Sequence, residues 1–222
     1  MTLSRRTTLQ IAAGLSAISF VACGGGGSSS APAPTVTAPS ITSQPTAVTV
    51  VSGGNATFTV AATGNGTLSY QWRKDGAALA GANAASLSLT GVTSANAGVY
   101  ECVVTNTLSG ASSIAISSGA TLAVNTAPAI VAQPVAQSAA PGGSVIFMVA
   151  ASGNGTLSYQ WKKDGSAIPG ATSASYTIAS VAAGNAGSYT CDITNTVGST
   201  TTTTTTAAAV LTVTAGNAAT PV

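Results

Sequence analysis

The chain has 222 residues, room for two small domains, with six Lys and Arg, four Asp and Glu and no histidine. Without histidine there is no His-dependent triad, His metal site or imidazole switch, while a 45% hydrophobic content is too high for a disordered polymer. Arg5 and Arg6 lie in a leader; the remainder has four basic and four acidic side chains, so its charge balance indicates no partner.

Residues 1–22 read as an export signal: a basic start, an apolar stretch over residues 11–22 broken only by Gly and Ser, and small residues before Cys23. The apolar run is far short of the roughly 20 residues that span a bilayer, so cleavage is expected. Phe20-Val21-Ala22-Cys23 resembles the bacterial lipobox, with Phe20 where Leu is usual. That resemblance implies a diacylglyceryl group on the Cys23 sulfur and cleavage before it. The other reading is an ordinary cleaved leader with an incidental cysteine. Ser4-Arg5-Arg6-Thr7-Thr8-Leu9-Gln10 also resembles the twin-arginine export motif, departing from it at Thr8 and Gln10; a general secretory leader with two chance arginines is the alternative. Gly24 after Cys23 resembles the pattern of outer-membrane sorting. Residues 23–39, which contain GGGGSSS and APAP, read as a tether, flexible and then stiffer, that spans roughly 20–25 Å as a coil.

A gapless repeat follows. GNGTLSYQW at residues 64–72 recurs unchanged at 153–161, an offset of 89. The same offset relates Tyr100 to Tyr189, Cys102 to Cys191 and Asn106 to Asn195. Apolar residues alternate within each copy, as at Phe58 and Val60 and again at Phe147 and Val149, which is strand chemistry. Further strands are predicted at residues 68–74, 86–89 and 99–105, with one long final strand ending at Val124. Asn65-Gly66, Gly53-Gly54 and Asp75-Gly76 are turn signals between them. No segment carries a capped helical pattern.

About seven short strands per copy predict an all-β chain of two antiparallel sandwiches. Val60, Trp72 and Asn96-x-Gly98-x-Tyr100-x-Cys102, repeated as Val149, Trp161 and Asn185-x-Gly187-x-Tyr189-x-Cys191, resemble the immunoglobulin fold of the I-set-like kind found in bacterial envelope proteins. The resemblance implies buried tryptophans at Trp72 and Trp161 and tyrosine corners at Tyr100 and Tyr189. It also places Val60 and Val149 where the family has the strand-B cysteine, so neither domain has the inter-sheet disulfide. Cys102 and Cys191 then read as small buried hydrophobes. The expected division is a leader at 1–22, the tether at 23–39, domain 1 at 40–125, domain 2 at 126–214 joined through the linker 125–128, and a tail at 215–222.

The search for chemistry returns little. Asp75 and Asp164 are turn residues; Glu101 and Asp192 point outward and sit in different domains. There is no carboxylate pair for hydrolysis, no metal-binding cluster and no basic stripe for nucleic acid, so no enzyme, cofactor or metal is expected. The aromatic residues are claimed by the core, leaving no sugar platform. Asn65, Gly66, Asn154 and Gly155 at loop tips are the candidate interaction surface, with Thr202 and Thr204 in the threonine run 200–206 offering an open strand edge; the alternative for the run is a solvated low-complexity edge. The expectation is a lipid-anchored envelope protein, held to a membrane through Cys23, whose modules bind an unidentified protein or surface ligand in adhesion or assembly. The alternative is a structural spacer.

Overall fold

The computed structural model describes residues 34–214. Domain 1 contains β1 (Ser40–Ser43), β2 (Val48–Val51), β3 (Ala56–Thr59), β4 (Ala61–Thr63), β5 (Thr67–Lys74), β6 (Ala77–Ala78), β7 (Ser86–Leu89), β8 (Gly98–Leu108), β9 (Ala111–Ile116) and β10 (Ala120–Asn125). Domain 2 repeats the series with β11 (Ala129–Ala132), β12 (Gln137–Ala139), β13 (Val145–Met148), β14 (Ala150–Ser152), β15 (Thr156–Lys163), β16 (Ser166–Ala167), β17 (Ser175–Ile178), β18 (Gly187–Val197), β19 (Thr200–Thr205) and β20 (Ala209–Val213). One short 3-10 turn precedes β8 and one precedes β18.

Each domain is a two-layer sandwich. In domain 1 one layer runs β2-β10-β8-β5-β6, with β9 also on β8, and β2 lies parallel to β10. The other layer is built from β3 and β4, separated only at Val60, which pair with β7 and β1 respectively. Domain 2 has the same order. Alternation fills the space between layers: Phe58 and Val60 are buried while Thr57 and Thr59 are exposed, as the two-residue period of a strand requires. Phe58 stacks on Tyr100 at 4.8 Å between ring centroids and Phe147 on Tyr189 at 4.6 Å. The Trp72 and Trp161 indoles are fully buried, and each Nε1 donates to a carbonyl, Ala84 O and Ser173 O, so burial strands no polar group.

Asp75-Gly76 and Asp164-Gly165 close two-residue hairpins with both central residues at positive φ, the geometry that favours an Asp-Gly pair. Asp75 does more than turn the chain. Its carboxylate accepts from Val99 N at 2.9 Å and lies where a Cβ on Gly98 would sit, tying the hairpin to the start of β8.

The predicted single final strand is broken into β9 and β10, and likewise into β19 and β20. At the break Ser117 is buried: its Oγ accepts from Cys102 N at 2.8 Å while its own N donates to Cys102 O. Thr206 does the same for Cys191. A side-chain hydroxyl replaces one ladder carbonyl there, and the strand leaves β8 and resumes three residues later.

Candidate functional site

Val60, Trp72, Tyr100 and Cys102 belong to one buried cluster, and Val149, Trp161, Tyr189 and Cys191 to its counterpart. Both cysteines are free and fully buried. Burial raises the Cys102 thiol and pushes Cys191 up to about 11, the opposite of what a reactive thiolate needs. Tyr100 Oη donates to Asn96 O at 2.7 Å and Tyr189 Oη to Asn185 O at 2.8 Å, closing a corner in each domain. Asn96 and Asn185 in turn accept from Thr93 N and Ala182 N.

Every charged side chain among the described residues is in an ion pair: Arg73 with Glu101, Lys74 with Asp75, Lys162 with Asp192 and Lys163 with Asp164. The Lys74 ammonium, then the Val99 N–H, holds Asp75 below the usual carboxylate range; Lys163 and Ser188 do the same for Asp164. No carboxylate is left as a free base, and no group of three metal-ligating side chains exists among the described residues. No helix among them is long and apolar enough to cross a membrane.

The polar chemistry is concentrated where the chain enters each domain. Asn65 Nδ2 donates to Thr35 O at 2.8 Å, and Thr37 donates from N and Oγ1 to Asn65 Oδ1. The buried Asn106 completes the clamp, donating to Thr37 O and Asn65 Oδ1 and accepting from Gly66 N. Gly66 is required by closeness: a Cβ there would lie 2.2 Å from Thr107 O. Domain 2 repeats the clamp on the chain arriving from domain 1, with Asn154, Asn195, Gly155 and Thr126 in the same roles. The tether is therefore fastened from Thr35 onward instead of running free to residue 39.

Between the domains the clamp gains a second tier. Asn125, the last residue of β10, is completely buried and is no part of a loose linker. Its Nδ2 donates to Thr200 O at 2.8 Å; its Oδ1 accepts from Asn195 Nδ2 at 2.8 Å and from Thr202 Oγ1 at 3.2 Å. Thr202 also donates to Thr126 O, and Thr204 Oγ1 donates to Pro128 O at 2.9 Å. The tip of the β18–β19 hairpin reaches β2, where a Cβ on Gly198 would lie 3.4 Å from Thr49 Oγ1. In domain 1 the positions of Thr200 and Thr204 are Ala111 and Ala115, so the threonine run supplies hydroxyls where a neighbouring domain needs them.

The side chains of Asn65, Asn154, Thr202 and Thr204 make hydrogen bonds to the segment that enters each domain, and Gly66 N and Gly155 N donate to Asn106 and Asn195. β19 pairs with β18 alone and is an edge strand, so the backbone edge carrying Thr202 and Thr204 stays a candidate surface. Cys23 lies outside the described residues. The residue that sequence reasoning passed over is Asn125. Its signal was a break in the repeat, since the positions 89 residues before and after it are Val36 and Thr214.

Two stacked two-layer sandwiches, each with a buried tryptophan, a tyrosine corner and a parallel strand at the edge of the larger sheet, define tandem immunoglobulin-type modules. The chain belongs to the immunoglobulin domain family, whose model matches residues 38–106 and 127–195. Among solved structures it resembles the I-band fragment I67-I69 from titin at 19% identity and a TM-score of 0.69, covering 82% of this chain and 67% of that one. It also resembles Sidekick-1 immunoglobulin domains 1-4 at 22% identity and a TM-score of 0.59, covering 79% of this chain and 48% of that one. Extracellular domains 3-5 of Drosophila OTK match at 21% identity and a TM-score of 0.53, covering 79% of this chain and 62% of that one. At these identities the likeness is one of fold. A search of curated protein sequences found no match.

Proposed function

We propose that the chain is an exported bacterial envelope lipoprotein, anchored through an acyl group on Cys23, whose two immunoglobulin domains form a stiff, non-catalytic arm. The arm holds an interaction surface away from the membrane and serves adhesion or the assembly of envelope proteins. The observation that carries this reading is the buried joint at Asn125. A chain that needed only to cover distance could join its domains by a flexible segment, whereas here a fully buried amide links β10 to Asn195 and to the β18–β19 hairpin. The pairing of all described charges and the burial of both thiols fit a module that works by shape.

The same joint also supports a simple spacer, in which length and stiffness are the whole function. Crosslinking from native envelopes separates the two. An interaction arm returns a reproducible partner, which disappears when the domains are replaced by an unrelated two-domain rod on the same tether. A spacer returns none, and the rod restores the deletion phenotype. The anchor has its own test: the envelope form should begin at Cys23 with added acyl mass, and Cys23→Ala should release it from membranes. An unmodified N-terminus at another residue would overturn the anchor.

A further inference from the structure

The two copies of the domain differ sharply on one face. On the outer side of the β11–β14 and β13–β17 layer, Val131, Val135, Ile146 and Met148 are 71%, 70%, 50% and 66% exposed. The neighbours of Ile146 and Met148 in β13, Val145 and Phe147, are buried, so strand alternation turns Ile146 and Met148 to solvent. Val135, Ile146 and Met148 line a groove of about 300 Å³ with Ala132, Ala150 and Gln137. At the matching positions, 89 residues earlier, domain 1 has Thr42, Thr46, Thr57 and Thr59, all exposed. The fold therefore accepts threonine at all four sites, and the apolar residues of domain 2 are not a requirement of its core.

We infer that this face of domain 2 docks on the same face of a second copy of the chain, forming a two-fold symmetric dimer. Two observations select that occupant. First, all four ion pairs lie on β5, β8, β15 and β18 or on the turns beside them. The apolar face thus carries no charge to recognise a charged partner, and two copies meet there without like-charge repulsion. Second, the area suffices. The four side chains expose on the order of 400 Å² of apolar surface, the size of the largest patch on a typical monomer, which is often a functional one. With the roughly 65% apolar share of a homodimer interface, a core of that size implies about 600 Å² per protomer. The total of about 1,200 Å² is at the lower edge of specific interfaces, and an isologous contact uses the same patch twice. Weak, transient complexes sit at this end of the size range, so a micromolar association is expected. The inference holds whether or not the chain is lipid-anchored.

The test is sedimentation velocity of the full chain carrying Cys23→Ala, so that no acyl group drives association. The expected result is a concentration-dependent monomer–dimer equilibrium in the micromolar range. Ile146→Thr with Met148→Thr, which copies domain 1, should weaken it at least tenfold with an unchanged melting temperature. If that pair disturbs folding, Val135→Thr alone should still weaken the dimer severalfold. A native chain that stays monomeric to several hundred micromolar overturns the inference. So does a dimer unaffected by these substitutions. Flotation with phosphatidylethanolamine–phosphatidylglycerol vesicles that depends on Ile146 and Met148 would also overturn it, by assigning the face to a lipid surface.

Discussion

Replacing Asn125 by Val tests the joint with a residue the clamp already tolerates, since Val36 occupies the matching position ahead of domain 1. The substitution removes five hydrogen bonds across the joint: Nδ2 donates to Thr200 O, Thr200 Oγ1 and Asn195 O, and Oδ1 accepts from Asn195 Nδ2 and Thr202 Oγ1. Asn195 keeps Thr126 O and Asn154 Oδ1, and Thr202 keeps Thr126 O, so no donor on either is stranded. With those donors rescued the net loss is that of the two Nδ2 N–H groups, about 1–3 kcal/mol at about 0.5–1.5 kcal/mol each. It falls on the coupling between domains and not on either core. In calorimetry the native chain should melt with coupled domains. Asn125→Val should lower the melting of the less stable domain by at least about 4 °C and separate the two transitions. Asn195→Ala serves as a contrast: it also takes the acceptor of Gly155 N and should destabilise domain 2 itself. An unchanged calorimetric profile for Asn125→Val would refute the reasoning.

The remaining predictions concern the cores, the turns and pH. Reductant should leave the melting temperature unchanged, and Cys102→Ala should cost less than Trp72→Ala, which removes about 3–5 kcal/mol of packing; a reductant-sensitive melt would contradict the bridge-free core. Gly66→Ala places its Cβ against Thr107 O and should cost about 1–3 kcal/mol, a loss measurable by urea unfolding and large enough to set it apart from neutral loop substitutions. Asp75 and Asp164 have folded pKa values below the ordinary one. Their stabilisation is thus fully present above the unfolded value of about 3.9 and is lost as pH falls through the folded value. With no histidine in the chain, the melting temperature should be flat from about pH 5 to 8 and fall below about pH 4, and a midpoint near neutrality would contradict this.

The duplication and the sandwich were legible because both rest on local patterns. Phe58 and Val60 alternate with threonines, Asp-Gly pairs mark hairpins, and identical nonapeptides fix the offset. Two features were not legible. The break at Ser117 depends on a buried hydroxyl meeting Cys102 across the ladder, a relation that strand periodicity does not encode. The joint depends on Asn125 meeting Asn195, 70 positions away, a contact that neither strand alternation nor turn chemistry encodes. Comparing the copies position by position carries more than reading either alone, since both the joint and the apolar face of domain 2 appear as departures from the repeat.

The claim that the two domains form one stiff arm is tested most directly by pulsed electron spin resonance between one spin label on an exposed strand of each domain, with Cys102 and Cys191 protected by burial. A joint closed by Asn125, Thr202 and Thr204 predicts a single narrow distance distribution that broadens in Asn125→Val. A broad distribution in the native chain, unaltered by that substitution, would contradict it.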